Sequence, residues 1–371
     1  MSDVRGHEKF VKHMCQFGGG IDLAMLVVAA DEGFMPQTVE HLDILSLLGI
    51  RDGLVVLTKA DLVDDGWLEL VRTQAADLVR GTFLEGKPIL PVSAVTGTGL
   101  PELKEALHRL VLDAREKSTL APFRLPIDRV FSVDGFGTVV TGTMIEGNLS
   151  VGDPLELMPS GQRAKVRTLQ VHNHSVEQAY AGQRVAVNLA GLRRDAVVRG
   201  DTLCKPDTLR LSRMLDVRLT DLKGSHRIIE NGSPVHFYHG AAAHIAKVGT
   251  PEQDTPETPG QSGFAQLRFT EPVAVKRGDR FVIRFYSPME TIGGGVILDD
   301  CPPRHKRHQP EVIRALTIRE GGSAGAQLQQ LVEEYGYALP TAQTLAQRQS
   351  MPEEEMVRAL EDLVNSGDLL E

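Results

Sequence analysis

This chain of 371 residues contains few cysteines and has a negative net charge. Its three cysteines, Cys15, Cys204 and Cys301, lie far apart and form no C-x-x-C pair, so the sequence predicts neither a zinc-thiolate site nor a redox-active dithiol. With 40 Lys and Arg against 49 Asp and Glu, the net charge is −9. A long-range basic field is therefore excluded, and any nucleic-acid site must be a local patch.

Long apolar runs and one nucleotide-binding motif are also missing. No stretch is long enough to span a bilayer, and the amino terminus lacks the charged-then-apolar layout of a signal peptide. The motif G-x-x-x-x-G-K-[ST], whose backbone cradles nucleotide phosphates, does not occur in the printed chain. The composition, 42% hydrophobic and 24% charged, predicts a soluble, cytoplasmic protein of roughly two to four domains with no membrane segment.

The first third of the chain alternates apolar strands with helices. Residues 21–30 (IDLAMLVVAA) are almost wholly apolar, as a strand covered on both faces must be, and residues 37–48 have a helical period. The alternation continues through strand 54–58, helix 67–79, strand 88–92 and helix 102–113. This order predicts a parallel sheet with right-handed crossovers, which places its sites at the carboxyl ends of the strands.

The rest of the chain changes character twice. After residues 118–122, short strands and Gly-rich turns predict a small antiparallel barrel, and residues 211–298 predict a second one with a surface insertion. Beyond residues 304–308 (RHKRH) the pattern is helical. A capping box at Ser350 and Glu353 starts the last helix, and an apolar strand is expected after it. The three predicted helices are 328–335, 341–347 and 350–364. Three helices and a strand are typical of a winged helix.

Three short motifs carry the chemistry of the predicted sheet. Residues 3–7 (DVRGH) contain D-x-x-G, which alone is weak because it arises by chance. Residues 58–61 (TKAD) directly follow one apolar strand, and residues 93–95 (SAV) follow the next. At these three positions a GTPase sheet presents its loop for Mg²⁺ and the γ-phosphate, its guanine-reading loop and its second base-contacting loop. The combination predicts an α/β P-loop-type GTPase domain with its amino-terminal part missing.

The residue types in the two base loops fit guanine. The carboxylate of Asp61 can accept both the ring N–H and the exocyclic amine of guanine, a pattern that adenine does not offer. After Thr58, the stem of Lys59 is expected to pack on the base. A backbone N–H of Ser93 or Ala94 can donate to the guanine carbonyl oxygen. The alternative for this motif is that Asp61 only caps a helix start.

The D-x-x-G loop suits the phosphate end of a nucleotide. Asp3 is expected to reach Mg²⁺ through water, and the backbone N–H of Gly6 is expected to approach the γ-phosphate, where a side chain does not fit. The predicted cofactors are therefore GTP and Mg²⁺. The alternative is an ordinary loop before a helix.

Whole segments of the chain resemble a known family. The residues GHEKFVKHM, followed by GGIDLAMLVVAADEGFMPQTVEHLDILSLLGI, resemble the translational GTPases related to elongation factor Tu, and within them the selenocysteine-specific elongation factors. Thr58, where elongation factor Tu has asparagine, the run 134–143 (DGFGTVVTGT) and the winged-helix tail favour that branch. The resemblance covers essentially the whole chain. It implies that His7 orients the water that attacks GTP; the alternative is a surface histidine that caps a helix.

The resemblance also implies a division into domains. The expected units are a partial GTPase domain at residues 1–117, β-barrels at 120–208 and 209–304, and a winged-helix module at 309–371. The sequence departs from the family pattern in two ways. Arg5 replaces the proline that is usual in the D-x-P-G-H version, and neither the P-loop nor the switch threonine that binds Mg²⁺ is present. Because the bacterial family carries four winged-helix modules, we expect a gene or fragment truncated at both ends.

The partners implied by the resemblance are selenocysteyl-tRNA, the ribosome and a selenoprotein mRNA hairpin, the last through modules mostly missing here. The factor is expected to be a monomer. The pocket for the aminoacyl end would include Asp128, Arg129 and Arg184. A selenol is largely ionised at neutral pH whereas a serine hydroxyl is not, so fixed guanidinium groups would favour selenocysteine by charge. The alternative is a structural Asp–Arg pair that bridges strands.

Several assignments stay open at the level of sequence. Residues 304–308 either contact tRNA or only link two domains. His172 and His174 suit a metal site by spacing, but solvent-facing histidines explain them as well. Two other functions compete with the elongation factor: an RNA- or tRNA-binding protein without GTPase activity, and another translational GTPase of the initiation-factor type.

The missing phosphate motif leads to a first prediction, that the 371-residue chain alone neither binds GTP tightly nor hydrolyses it. Micromolar affinity requires about 8 kcal/mol. Two charge-assisted hydrogen bonds from Asp61 to guanine supply about 3 to 6 kcal/mol before entropy losses. Calorimetry that gives a dissociation constant below about 10 μM would contradict this expectation.

Overall fold

The computed structural model describes residue 14 and residues 20–114, 117–133, 137–222, 224, 229–250, 260–286, 290–335, 338, 340–349 and 353–367. These residues form an amino-terminal α/β unit, two β-barrels and a carboxy-terminal group of helices. The predicted fold class is confirmed for the first three parts. Among the described residues, no helix is long and apolar enough to cross a membrane.

The α/β unit is a parallel sheet with helices on both faces. Strands β1 (Ala24–Ala29), β2 (Gly53–Thr58) and β3 (Ile89–Pro91) pair in that order. Helices α1 (Pro36–Leu47), α2 (Asp65–Leu78) and α3 (Leu100–Asp113) connect or follow them. Alternate residues of β2 face opposite sides, so Val55 and Leu57 pack with α2 while Leu54 and Val56 pack with α3. Burial on both faces explains why this strand is apolar throughout.

Barrel 1 is a closed ring of six antiparallel strands. In ring order these are β4 (Arg124–Val133), β5 (Gly137–Thr143), β11 (Arg184–Ala190), β8 (Gln162–Val171), β7 (Pro154–Met158) and β12 (Thr202–Cys204). Strand β9 (His174–Val176) pairs antiparallel with the end of β8, while β6 (Asn148–Ser150) pairs with β10 (Gln178–Tyr180). The inward-facing residues form one apolar core.

Barrel 2 is a second closed ring of six strands. In ring order these are β13 (Arg210–Asp221), β16 (Ser262–Val275), β15 (Ala242–Gly249), β14 (Pro234–His239), β17 (Arg280–Phe285) and β18 (Thr291–Asp299). Its core contains stacked and edge-on aromatic pairs between Phe237, Phe269 and Phe281. Because both rings are closed, each described ring strand has a paired neighbour on both sides.

The carboxy-terminal helices, here called the helical module, are α4 (Pro310–Gly321), α5 (Ala324–Tyr335), α6 (Ala342–Gln349) and α7 (Glu353–Ser366). The three predicted helices correspond to α5, α6 and α7, but α4, which precedes them, was not predicted. Its apolar residues Val312, Ile313 and Leu316 pack on Phe264 and Leu298 of barrel 2 and not in the core of α5 to α7. Ser350 and the strand expected after Gly367 lie outside the described residues, so the winged-helix assignment stays a prediction.

An ionic network joins barrel 1 to barrel 2. The buried guanidinium of Arg124 donates to Glu146 and, at 2.8 and 2.7 Å, to both carboxylate oxygens of Asp279. Lys276 reaches Glu146 at 3.0 Å, and His239 Nε2 lies 2.9 Å from Asp279. Burial alone would lower the pKa of Arg124, but the neighbouring carboxylates outweigh it and raise the pKa above its usual range. The guanidinium therefore stays charged.

Helix α1 packs on barrel 2. The Glu40 carboxylate accepts hydrogen bonds from Thr291 Oγ1 at 2.7 Å and from Arg284 Nη2 at 3.3 Å. One turn further, Ile44 and Leu47 pack in an apolar cluster with barrel 2 residues, namely Tyr238 and Val282. The close approach requires glycine at Gly294, where a Cβ atom would lie 3.2 Å from the Cβ of Leu47 and 2.4 Å from a backbone oxygen. The α/β unit is thus held to barrel 2 by both polar and apolar contacts.

Candidate nucleotide and aminoacyl sites

The loops after the three parallel strands meet at one edge of the sheet. The Ala30 N–H donates to Thr58 O at 2.8 Å, and the Ala60 N–H donates to Val92 O at 3.1 Å. Thr58 Oγ1 also donates to Val28 O at 3.3 Å. These bonds fix the TKAD loop between its two neighbours, as expected for a site at the carboxyl ends of parallel strands.

Lys59 is held by two acidic residues that sequence reasoning missed. Its backbone has a φ of 57°, and its Nζ lies 2.9 Å from Asp31 and 3.2 Å from Glu32. The hydrogen bonds that Lys59 donates to these carboxylates raise its pKa, and the contact with Lys59 lowers the pKa of Asp31. The sequence did offer a sign of this pair, namely two consecutive acidic residues just after β1. The end of β1 lies at the same edge of the sheet as the TKAD loop.

Asp61 lies exposed in a short 3-10 turn, Ala60–Leu62. It does not cap the following helix, because Asp64 does so by accepting a hydrogen bond from the Trp67 N–H at 2.8 Å. The alternative interpretation of Asp61 as a helix cap is therefore wrong. Its carboxylate has no hydrogen bond to any described residue, which leaves both oxygens available to a ligand.

Ser93 and Ala94 lie in the second base loop but have different surroundings. Ser93 is buried, and its N–H donates to Thr98 O at 2.9 Å. Its Oγ accepts a hydrogen bond from the Thr96 N–H at 3.1 Å. Ala94 is exposed, and its N–H donates to no residue in the described part of the chain. Ala94 is thus the donor available for a carbonyl oxygen, while Ser93 shapes the loop.

The phosphate-end residues Asp3, Gly6 and His7 lie outside the described residues, so their roles stay predictions. No group of three or more His, Cys, Asp or Glu residues that could hold a metal ion is found in the described ranges. His172 and His174 are both exposed. The described chain therefore brings no third ligand to these two histidines.

The predicted aminoacyl residues lie at a β-bulge. Between Ile127 and Arg129 the register of β4 against β5 shifts, so Asp128 is the extra residue. Arg184, on β11, donates to both oxygens of Asp128 at 2.6 and 2.9 Å. Thr141 Oγ1 donates to the same carboxylate at 2.8 Å. The structure thus brings Asp128 and Arg184 together across β5 as a bidentate pair.

Arg129 differs from Arg184 in having no described partner. Its side chain is exposed and makes no hydrogen bond or ion pair with any described residue. The Asp128 carboxylate is 19% exposed and the Arg184 guanidinium 46%, so this pair is nearly neutral in sum and largely fixed. The bulge also depends on Gly142, where a Cβ atom would lie 2.1 Å from Pro126 O. The unpaired charge at this position belongs to Arg129.

Three families match successive parts of the chain. Residues 1–113 match the elongation factor Tu GTP binding domain, and residues 137–204 match elongation factor Tu domain 2. Residues 216–304 match the β-barrel domain of selenocysteine-specific elongation factor. The order of these matches follows the order of the α/β unit, barrel 1 and barrel 2.

Relatives and solved structures agree with these matches. The chain is 47% identical over 332 residues to the selenocysteine-specific elongation factor of Desulfomicrobium baculatum, covering 88% of this chain and 51% of the relative. The factor of Escherichia coli is 36% identical over 315 residues, covering 85% and 49%. The chain therefore spans about half the length of these relatives.

Among solved structures, a bacterial selenocysteine-specific elongation factor superposes with a TM-score of 0.78 at 26% identity, covering 93% of this chain and 55% of that one. Elongation factor SelB from Methanococcus maripaludis, bound to the GTP analogue GppNHp, gives 0.71 at 27% identity, covering 82% and 70%. By sequence, domain order and fold, the chain is similar over most of its length to selenocysteine-specific elongation factors.

Proposed function

We propose that the chain is the part of a selenocysteine-specific elongation factor that reads guanine and carries selenocysteyl-tRNA to the ribosome in a GTP-dependent way. The observation that carries this proposal is the match of residues 216–304 to the β-barrel domain of that family. This domain follows an α/β unit whose sheet edge carries the residues expected to contact guanine. Neither alternative is favoured, because the relatives that match most of this chain are named selenocysteine-specific elongation factors.

Each site has an assigned role in this proposal. Asp61 accepts from the guanine ring, Lys59 covers the base, and the Ala94 N–H donates to the guanine carbonyl. When Mg²⁺ is bound, it neutralises charge on the phosphates, and Asp3 is the residue proposed to approach it through water. His7 orients the attacking water, and the Gly6 N–H approaches the γ-phosphate. The factor acts as a cytoplasmic monomer, with a selenoprotein mRNA hairpin as a further partner.

Selectivity for selenocysteine is expected to depend on Arg129. Arg129→Gln should weaken binding of selenocysteyl-tRNA by roughly ten to a hundredfold, since a charge-assisted contact is worth about 1.5 to 3 kcal/mol, and should hardly affect seryl-tRNA. Arg184→Gln should show the same selectivity, because it leaves the Asp128 carboxylate unpaired beside the selenolate. Dissociation constants for both tRNAs are measured at fixed salt, in a protein that also carries a P-loop segment.

The matched control is Arg163→Gln, which changes an exposed arginine of the same barrel that pairs with Asp207. It should leave both tRNAs unaffected. If Arg129→Gln and Arg184→Gln weaken both tRNAs equally, the two arginines serve only barrel structure. The selenocysteine-specific part of the proposed function would then be contradicted.

A further inference from the structure

Residues 304–308 (RHKRH) contain three cationic side chains and two histidines with no acidic residue. They connect the end of β18 to the start of α4, between barrel 2 and the helical module. The chain as a whole carries a net charge of −9, so this segment is a local patch of opposite sign. Neither the guanine edge nor the aminoacyl pocket uses it.

The segment is fixed to the wall of barrel 2 by a buried carboxylate. His305 Nε2 lies 2.6 Å from Asp216 Oδ2, and Asp216 is fully buried on β13. The side chain of Gln266 donates to the other Asp216 oxygen at 3.0 Å and to Pro303 O at 2.9 Å. The backbone on both sides of Arg304 is therefore anchored, and Lys306 follows directly.

The cations beside this anchor point to solvent. Arg304, Lys306 and Arg307 are exposed. Within the described ranges, neither Arg304 nor Lys306 has an ion-pair partner. A segment that only links two domains does not need a buried carboxylate such as Asp216 to hold it in place. Burying a carboxylate costs free energy unless it is paired, so the anchor is not there by default. Because the backbone beside these cations is already held, ordering the backbone adds little to the entropy cost of binding a ligand.

We propose that residues 304–308 form a phosphate-binding surface for the backbone of an A-form RNA helix. From Arg304 to Arg307 the chain can span at most about 10 Å, so its cations can reach neighbouring phosphates of one strand. Phosphate contacts position a nucleic acid without reading its sequence. This inference rests on the RNA-handling part of the proposed function, but it requires neither a bound nucleotide nor an aminoacyl group.

The test compares two charge-matched double variants of the whole chain. Arg304→Gln/Lys306→Gln removes two patch cations. Arg72→Gln/Lys104→Gln removes two exposed cations from α2 and α3, for the same change in net charge. Fluorescence anisotropy measures binding to a labelled RNA duplex of about 16 base pairs between about 50 and 200 mM salt. Thermal melts confirm that both variants fold.

The expected result is a change in salt dependence. The slope of log K against log salt should fall in magnitude by about two for Arg304→Gln/Lys306→Gln, since each phosphate contact contributes about one. Affinity at about 100 mM salt should fall by roughly tenfold or more. The α2 and α3 variant should keep the slope of the parent chain. Equal slopes for the patch variant and the parent, equal losses in both variants, or no duplex binding by the parent at low salt would each overturn the proposal.

Two probes separate the possible sources of the RNA helix. One is a minihelix with a single-stranded 3′ end, like the acceptor arm of tRNA, and the other is a closed hairpin without that end. A loss confined to the minihelix assigns the surface to tRNA, a loss confined to the hairpin assigns it to mRNA, and equal losses assign it to any A-form helix. A failure of the GTP site or of the selenocysteine pocket leaves these results unchanged, because neither RNA probe carries a selenocysteyl group and neither assay contains GTP.

Discussion

Asp279→Asn is expected to lower the free energy of unfolding by about 3 to 5 kcal/mol, the usual cost of removing one partner from a buried ion pair. The Arg124 side chain is 8% exposed and would be left with Glu146 alone, which it already shares with Lys276. Chemical denaturation monitored by circular dichroism measures the loss. Because Arg124 and Asp279 lie on different barrels, the barrels should separate early in the transition.

The same contact predicts a pH dependence. Burial alone would raise the pKa of Asp279, but the charge and hydrogen bonds of Arg124, together with His239, lower it well below its usual range. A carboxylate with a depressed folded-state pKa contributes its full stability above its unfolded pKa of about 4 and loses it as the pH falls further. The Asp279→Asn protein should lack this part of the acid dependence.

Asp207→Asn is the matched control for this experiment. Asp207 pairs with Arg163 at 2.7 Å, but both side chains are largely exposed. An exposed pair contributes less than about 1 kcal/mol, so this variant should unfold almost as the parent does. If Asp279→Asn also costs less than about 1 kcal/mol, the network between the barrels does not stabilise the protein as proposed.

Asp61→Asn is expected to reverse the preference for guanine over xanthine. The carboxylate accepts hydrogen bonds from two N–H groups of guanine, each bond being worth about 1.5 to 3 kcal/mol. In asparagine, the amide N–H₂ would face the exocyclic amine of guanine, and two donors do not form a hydrogen bond. Xanthine carries an oxygen at that position and accepts from the amide. The ratio of GDP to XDP affinity should therefore fall by about a hundredfold or more.

The ratio is the right quantity because phosphate contacts are the same for both nucleotides and cancel. Titration followed by NMR suits the weak binding expected of the chain. Asp65→Asn, a neighbouring exposed aspartate in the first turn of α2, should leave the ratio unchanged. An unaltered ratio in Asp61→Asn would show that Asp61 does not contact the base.

Periodicity predicted much of the fold because the α/β unit and the barrels bury their residues in regular patterns. Strand β2 is apolar throughout because both of its faces are covered, and this could be read directly. Helix α4 was missed because its few apolar residues pack on barrel 2 instead of the core of its own module. A helix that completes its burial against a distant domain gives a weak local signal.

The candidate sites were predicted to the level of loops. An Asp–Arg pair between strands was the alternative for Asp128 and Arg184, but the partners of Lys59 were not predicted. The contact of Lys59 with Asp31 and that of Arg184 with Asp128 join residues far apart in sequence. Such pairs depend on which strands are neighbours and on where a bulge falls, and a single sequence does not specify either. The engagement of the Ser93 N–H by Thr98 is similarly a property of loop geometry.

Helix α1 joins the nucleotide edge to barrel 2 mechanically. It begins shortly after Asp31 and Glu32, which hold Lys59, and its 12 residues form a stiff rod about 18 Å long. Its middle is pinned to barrel 2 by the contact of Glu40 with Arg284. A shift of the loop after β1 must therefore carry barrel 2 with it or break that contact. We expect a displacement of the loop after β1 to be transmitted along this helix to its contact with barrel 2.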